Sequence, residues 1–424
     1  MSTDHEASTG KCPVAHGDAA DHHGYEPFDM HDPFPAYAQL REQEPVMYDE
    51  RIDCWVVTRH EDVKQVFGDW ETFSSENAQA PVRERGAEAR RIMEEGGFTA
   101  YSGLSARVPP EHTRIRKIAQ KAFTPRRFKV MEPQIRDNVR RLLDDMLSNP
   151  EAKGDIVRDL ARDVPTITIL TLFGEDVDQV DDFKRWSDSR GAMTWGDLSD
   201  EEQIPHAHNL VEYWQKCLSL VEKAHREGGD NFVGDLVAAQ QAGDEITDHE
   251  IASLCYSLLF AGHETTTTLI ANALRVLLGP PDQWAQLRED PKKVAGALDE
   301  VLRYSGSIVS WRRKALKEAE VGGVSIPEGA QLLLVMGSAN RDEEMFEDGE
   351  SFDIERSNAR EHLSFGFGIH YCLGNMLAKL QGRIVLEEVL DRAPELELDD
   401  SEPIAFGENL SFRAPVAVPV TWKA

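Results

Sequence analysis

Apolar residues recur three and four positions apart along most of the chain, the spacing that lines one face of a helix. The pattern predicts helices over 38–42, 61–67, 131–147, 155–173 and 375–391, one opening at Pro109-Pro110 and one over Val294–Tyr304. Gly174 is a natural stop for the fourth of these. The stretch 181–228 concentrates Trp186, Met193, Trp195, Tyr213 and Trp214, which suits a core or a pocket wall. Alternating patterns are fewer. Residues 45–48 and 54–58 predict a hairpin, 321–326 and 331–335 flank a turn at Pro327-Glu328-Gly329, and 411–422 alternates like a strand. Residues 76–105 read as an irregular functional loop, or as a loop containing a surface helix over 84–95.

The longest helix is expected from Thr247 to Gly279. Thr247 and Glu250 form a capping-box signature at its start, and its length of about 45 Å would cross a whole domain. Its middle, Ala261-Gly262-His263-Glu264-Thr265-Thr266, places a glycine, a charge and hydroxyls in an otherwise apolar helix. Local propensity is poor there, and such conflicts concentrate at functional sites.

The fold class is therefore mainly α with small β-sheets. No Pro/Gly/Ser-rich linker divides the 424 residues, so one domain over 25–424 is expected after a polar, His-rich, disordered tail over 1–24. Cys12 and His16 stand at metal-ligand spacing in that tail, which reads better as solvated chain. The formal net charge of -30 repels nucleic acid and anionic membrane surfaces. The five scattered cysteines form no disulfide framework, and neither a signal peptide nor a membrane-spanning run is visible. A soluble, cytoplasmic, monomeric protein is the expectation.

Of the cysteines, Cys372 stands apart. It lies in Phe365-Gly366-Phe367-Gly368-Ile369-His370-Tyr371-Cys372-Leu373-Gly374, just before a helical pattern. Unpaired N–H groups and the positive end of a helix dipole favour thiolate, the form that binds metal. A lone thiolate suits neither a tetrahedral zinc site nor an iron–sulfur cluster. It suits the fifth position on a haem iron, whose porphyrin supplies the other four ligands.

The spacing Phe-Gly-x-Gly-x-His-x-Cys-x-Gly resembles the haem-binding loop of the cytochrome P-450 family, and the resemblance runs from about Pro33 to Trp422. It implies the family fold, a triangular α-helical domain with a β-rich region, holding haem b (iron protoporphyrin IX). Cys372 is implied as the iron ligand, with Phe365 beside the sulfur and Gly374 in the same loop. Pro-Pro-Glu-His-Thr-Arg-x-Arg resembles the segment whose His112 and Arg116 hold a haem propionate, although Val108 stands where the family usually has Asp. Arg313 matches a second propionate arginine, and His370 is a further candidate. Glu300, Arg303 and Arg356 match a structural network of the family. Ala261 and Gly262 match its oxygen-binding kink. Glu264 and Thr265 match its acid–alcohol pair, with Glu in place of the commoner Asp. Activating O2 consumes protons on the face opposite the cysteine, and a hydroxyl and a carboxylate can deliver them.

The resemblance implies a monooxygenase using O2 and electrons from NAD(P)H through a separate redox partner. The run from Arg114 to Lys129 is basic in an acidic chain. Arg114, Lys117, Lys121, Arg126 and Arg127 are therefore expected to dock an acidic ferredoxin or flavodoxin. The Cys12–His16 and Trp311-Arg312-Arg313 segments look like haem domains of self-sufficient bacterial enzymes fused to a reductase. By family position the substrate pocket includes Phe98, Leu104, Met193, Trp195, Leu258, Ile308, Val309 and Phe412, which suit hydroxylation or O-dealkylation of a small, mainly apolar, aromatic substrate. A peroxide-driven peroxygenase and a non-catalytic haem sensor are the alternatives.

Overall fold

The computed structural model describes residues 23–100, 103–279 and 281–423. Cys12, His16 and nearly all of the expected tail lie outside them. The helices that build the site are α1 (Glu111–Ala122), α2 (Pro125–Leu147), α3 (Asp163–Phe173), α4 (Val180–Trp195), α5 (Gln203–Glu227), α6 (Asp248–Leu278), α7 (Val294–Tyr304) and α8 (Asn375–Arg392).

Helix α6 is the axis of the helical layer. Its capping box forms as expected: the Glu250 N–H donates to Thr247 Oγ1 at 3.2 Å, and the Thr247 N–H donates to the Glu250 carboxylate at 2.9 Å. Helices α3, α5, α7 and α8 all pack on it, which is why its apolar residues run round nearly the whole circumference rather than along one stripe. Helix α3 stops at Gly174, whose φ of 74° is left-handed. Helix α2 starts earlier than its apolar pattern, because Thr124 caps the Arg127 N–H and Pro125 fills the first turn. Ala87–Glu95 is helical, the second of the two readings of that stretch. Phe232–Gln241 and Pro281–Glu289 form short helices that the apolar spacing does not announce.

The strands are β1 (Val46–Asp49), β2 (Cys54–Val57), β3 (Phe73–Ser74), β4 (Lys153–Asp155), β5 (Trp311–Ala315), β6 (Ala319–Val321), β7 (Val324–Ile326), β8 (Gln331–Leu334), β9 (Glu397–Leu398) and β10 (Pro419–Thr421). They form a five-stranded sheet in the order β1-β2-β8-β5-β3, a three-stranded sheet β4-β10-β9 and the hairpin β6-β7. The expected strand over 321–326 is interrupted, while the turn at Pro327-Glu328-Gly329 stands, with the Ala330 N–H donating to the Pro327 carbonyl at 3.2 Å. The hairpin closes at Gly322-Gly323, with φ of 55° and 80°, the two-residue turn that matches strand twist. The later turn instead sends β8 between β2 and β5. The expected terminal strand over 411–422 shrinks to β10 and two isolated bridges, one joining Phe412 to Ile308.

The helical core and a smaller core beneath the five-stranded sheet meet at one large cavity, to which both contribute walls. Among the described residues no helix is long and apolar enough to cross a membrane.

Candidate active site

Two glycines shape the cysteine loop. Gly366 and Gly368 have φ of 70° and 72°, and at Gly368 a Cβ would lie 2.8 Å from the Phe67 carbonyl oxygen. The loop closes when the Cys372 N–H donates to the Phe365 carbonyl at 2.9 Å, and Asn375 at the head of α8 donates to the Cys372 carbonyl at 2.7 Å. Cys372 lines the cavity. Burial pushes its thiol up; N–H groups of Gly374 and Asn375 and the Arg116 guanidinium oppose that and favour thiolate. N–H groups at the head of α8 thus favour the thiolate, while desolvation outweighs them in the protein alone. No three metal-ligating side chains converge among the described residues, so Cys372 stands single.

Beside the loop is a cluster of basic groups with no acid. Neither ring nitrogen of buried His112 has a hydrogen-bond partner, and the same holds for Nδ1 of His370, whose ring lies 4.3 Å from that of His112. Burial, then Arg116, lowers His112 to about 4. Burial, then Arg313, His112 and Arg116, lowers His370 to about 3. Arg313, 2% exposed, donates only to the Arg312 carbonyl and lies over the Phe67 ring; burial lowers it to about 9. Arg116 donates to the Tyr371 carbonyl at 2.6 Å. Four cation-capable groups from α1, β5 and the loop share a space to which none of the described residues brings a carboxylate, although buried cations ordinarily have counter-charges.

Across the cavity runs α6. Ala261, Gly262 and Thr265 line it. The helix is continuous there, and Gly262 allows close packing: its Cβ would lie 2.6 Å from Ile169 of α3. Thr265 Oγ1 donates to the Ala261 carbonyl at 2.9 Å, and Ser307 donates to the Thr265 carbonyl at 2.7 Å. Glu264 faces elsewhere. Its Oε1 lies 2.8 Å from Lys184 Nζ and 2.9 Å from His263 Nε2. Burial would raise the carboxyl, but Lys184 and His263 outweigh it and hold it near 2. Beside them Asp188 is pushed up by burial and by Glu264. Lys184 and Asp188 lie on α4, about 80 residues away, so no sequence motif announces this lock.

The lock sets a pH dependence. Glu264 is depressed below its ordinary 4.5, so its contribution to stability is complete above that pH and disappears as pH falls towards about 2. Lys184→Met is expected to cost about 1–3 kcal/mol at pH 7, the penalty for a half-buried charge left without its partner, and to shift acid unfolding to higher pH. Thermal melts across pH 3–7 read this directly; coincident curves for the two proteins would contradict the lock.

The expected pocket residues divide. Leu104, Trp195, Leu258, Ile308 and Phe412 line the cavity. Phe98, Met193 and Val309 do not. Phe98 packs edge-on against Trp214 and Tyr256, Met193 is core, and Val309 is buried against Gly337. Phe98 and Met193 lie in stretches near the pocket whose neighbouring residues reach it, and Val309 points opposite to Ile308. Trp311 was missed, and Phe260, two residues from Leu258, joins the wall. Phe260 stacks on Trp195 at 5.6 Å, and Phe412 meets Trp195 edge-on at 4.9 Å. Trp311 shares a strand face with Arg313, which is a legible signal once β5 is known.

The basic run is less free than its sequence. Arg114 pairs with Glu250, Lys121 with Asp244, and Arg127 with Asp230 and Asp235. Lys117 and Arg126 are exposed and, among the described residues, carry no ion pair. Glu300, Arg303 and Arg356 do come together: Glu300 pairs with Arg303 at 2.7 Å and with Arg356 at 3.2 Å, and Glu300 and Arg303 are fully buried.

A lone cysteine in a glycine loop, an acid-free basic cradle and a central hydroxyl-bearing helix agree with the comparisons. The cytochrome P450 family pattern matches residues 36–409. A structure of cytochrome P450 CREJ in complex with (4-ethylphenyl) dihydrogen phosphate is 70% identical, with a TM-score of 0.94, over 95% of this chain and 100% of that one. Nocardicin C N-oxygenase of Nocardia uniformis subsp. tsuyamanensis is 36% identical over 93% of this chain and 96% of its own length. Full-length CYP116B46 from Tepidiphilus thermophilus is 33% identical with a TM-score of 0.90, over 95% of this chain but 54% of that one. The chain belongs to the cytochrome P450 family. It is a cytochrome P450 monooxygenase, an enzyme class that carries haem and uses O2. The residues present fit haem: the unpartnered nitrogens of His112 and His370 and the acid-free Arg313 supply what two propionates require, on the same side of the cavity as the single thiol.

Proposed function

We propose that this enzyme oxidises a small aryl phosphate monoester, inserting one oxygen atom into its hydrocarbon part while the other leaves as water. The observation that carries the reading is the 70% identity to a structure that holds (4-ethylphenyl) dihydrogen phosphate. The cavity supports it: Trp195, Phe260 and Phe412 build an aromatic wall suited to a phenyl ring. The mainly apolar substrate expected from the pocket residues becomes an apolar body with an anionic end.

In this reading Cys372 would ligate the haem iron, with His112, Arg116, Arg313 and His370 on its propionates. The group supplies oxygen activation, favoured by a thiolate that donates electron density. Thr265 holds a proton at its Oγ1 on the cavity wall. Glu264 relays protons to that wall only when Lys184 releases it. Electrons come from NAD(P)H through a ferredoxin or flavodoxin, which docks at Lys117 and Arg126, the two of the five expected docking cations that are exposed and carry no ion pair among the described residues.

Titration of the holoenzyme with 4-ethylphenyl phosphate is expected to displace iron-bound water and shift the spin state. Reduced partner should then yield a side-chain-hydroxylated aryl phosphate. Absence of both responses, with a response to uncharged aromatics, would contradict the reading. Thr265→Ala is expected to lower product per NAD(P)H roughly tenfold or more, with hydrogen peroxide released instead; unchanged coupling would remove Thr265 from proton delivery. Equal turnover with hydrogen peroxide alone would favour the peroxygenase alternative.

A further inference from the structure

One end of the cavity is polar. Gln79, Ser105 and Ser257 line it there, beside Leu104 and Leu258. Ser257 stands two turns along α6 from Thr265, a rise of about 12 Å, which leaves room for a para-substituted ring between them. Gly103 clears the space around it, since a Cβ at that position would lie 1.8 Å from Ser257 Oγ.

Behind this end lies Arg190 of α4, 4% exposed. It donates to the Tyr256 carbonyl and, at 3.0 Å, to Gln79 Oε1. Its guanidinium lies 4.3 Å from the Tyr256 ring centroid and 4.9 Å from that of Phe260, itself a cavity residue. Among the described residues no carboxylate pairs with it. Three other buried arginines do find one: Arg41 meets Glu343 and Glu350, Arg303 meets Glu300, and Arg341 meets Glu350. Among the described residues Arg312, Arg313 and Arg413 have none either, but Arg312 donates to the Ala80 carbonyl and does not adjoin the cavity through a polar lining residue, Arg313 belongs to the basic cluster beside the cysteine loop, and Arg413 donates to the Met30 and His31 carbonyls.

The hydrogen-bond polarity has a consequence. An arginine can only donate, so Gln79 must present its oxygen to Arg190. Its Nε2 then points forward and donates to Ser105 Oγ at 2.5 Å. Ser105, having accepted, keeps its own proton to give. The series Arg190 to Gln79 to Ser105 therefore delivers donors to the cavity, backed by a buried positive charge without a counter-ion. That arrangement suits an anion with several acceptor oxygens and rejects a carbonyl-poor, neutral end.

We propose that Gln79, Ser105 and Ser257 bind the phosphate of the aryl phosphate and that Arg190 is the positioning residue behind them, so that this end of the cavity selects aryl phosphates over the corresponding phenols. The inference rests on the substrate class proposed above. It directs the hydrocarbon end of the substrate towards Thr265 and the cysteine side, where oxidation occurs.

The test compares 4-ethylphenyl phosphate with 4-ethylphenol on the holoenzyme, by spin-state titration. Wild type is expected to prefer the phosphate. Gln79→Leu and Arg190→Met are expected to weaken phosphate binding by about 10–100-fold, the loss of hydrogen bonds to a charged group, while changing phenol binding about threefold or less. Arg190→Lys should recover part of the loss. Because an aryl phosphate gains its second charge near pH 6, wild-type affinity for it should fall below that pH, and the two variants should flatten the profile. Gln79 is half-buried on a loop, so its variant keeps the test decisive if Arg190→Met does not fold. If both ligands weaken equally in Gln79→Leu, or neither does, this anion site is wrong while the substrate class stands. If wild type does not bind the phosphate at all, the substrate class fails and this site with it.

Discussion

Replacing Cys372 with serine is expected to remove the thiolate signature of the reduced carbon-monoxide complex and to lower turnover by more than about 100-fold. Loss of an outer partner of a metal ligand already costs about 10–100-fold, and here the protein's single axial donor would be lost. The physical case is specific to this loop. Three local influences, the Gly374 and Asn375 N–H groups and Arg116, stabilise negative charge on the sulfur, but burial raises the thiol overall. Haem iron, when bound, would supply the remaining drive to thiolate, as metal binding releases a proton from a thiol ligand. A serine hydroxyl, whose proton is held far more tightly, cannot make that exchange. Retention of the signature in Cys372→Ser would show that another residue holds the iron. The loop's own backbone bonds, Cys372 N–H to Phe365 carbonyl and Asn375 to Cys372 carbonyl, do not use the sulfur, so the apoprotein is expected to melt within a few degrees of wild type.

The largest effect on stability is expected from Glu300→Ala. Arg303 would then be left fully buried without its bidentate partner, and removing one member of a buried pair costs about 3–5 kcal/mol. The damage should reach the cysteine loop. Arg303 also donates to the Asn340 carbonyl at 2.8 Å; the Asn340 side chain accepts from the Leu363 N–H at 2.7 Å and donates to Ser364 Oγ at 2.8 Å; and Ser364 donates to the Leu302 carbonyl at 2.5 Å. Leu363 and Ser364 lead directly into Phe365. The network thus fastens α7 to the loop that carries the thiol. A lowered urea midpoint accompanied by faster haem release is the expected pair of results. Arg303→Lys should not mimic wild type, because a lysine cannot make the forked bond to Glu300. Loss of stability below about 1 kcal/mol would mean that the two buried charges contribute little beyond packing.

The outcome for the site depends on the range of the interactions involved. Cys372, the glycines around it and the capping box of α6 are readable because each rests on residues within ten positions. His112 and Arg116 are readable for the same reason, being one helical turn apart. The Glu264 lock, by contrast, joins α6 to Lys184 on another helix, and a sequence shows Glu264 and Thr265 only as neighbours. The helix then points the hydroxyl into the cavity and the carboxylate towards α4. Of the five docking cations, Arg114, Lys121 and Arg127 are neutralised by acids 100 or more residues away, pairs that local charge counting cannot see. The hairpin near residue 322 was legible in Gly322-Gly323, and a proline-led turn five residues later drew the strand boundary away from it.

The sequence by itself determined the class of chemistry: one cysteine presented by a glycine loop, bases without nearby acids, and a hydroxyl in the middle of a long apolar helix. It also determined most helices, because their spacing is periodic and their caps are local. Only the tertiary structure decided which of those groups share a space. It turned Glu264 away from the cavity and towards Lys184, removed Phe98, Met193 and Val309 from the wall, and brought Arg190 behind Gln79 across 111 residues of chain. Selectivity at a buried site depends on charge and donor direction within a few ångströms, and those are set by packing between helices far apart in sequence.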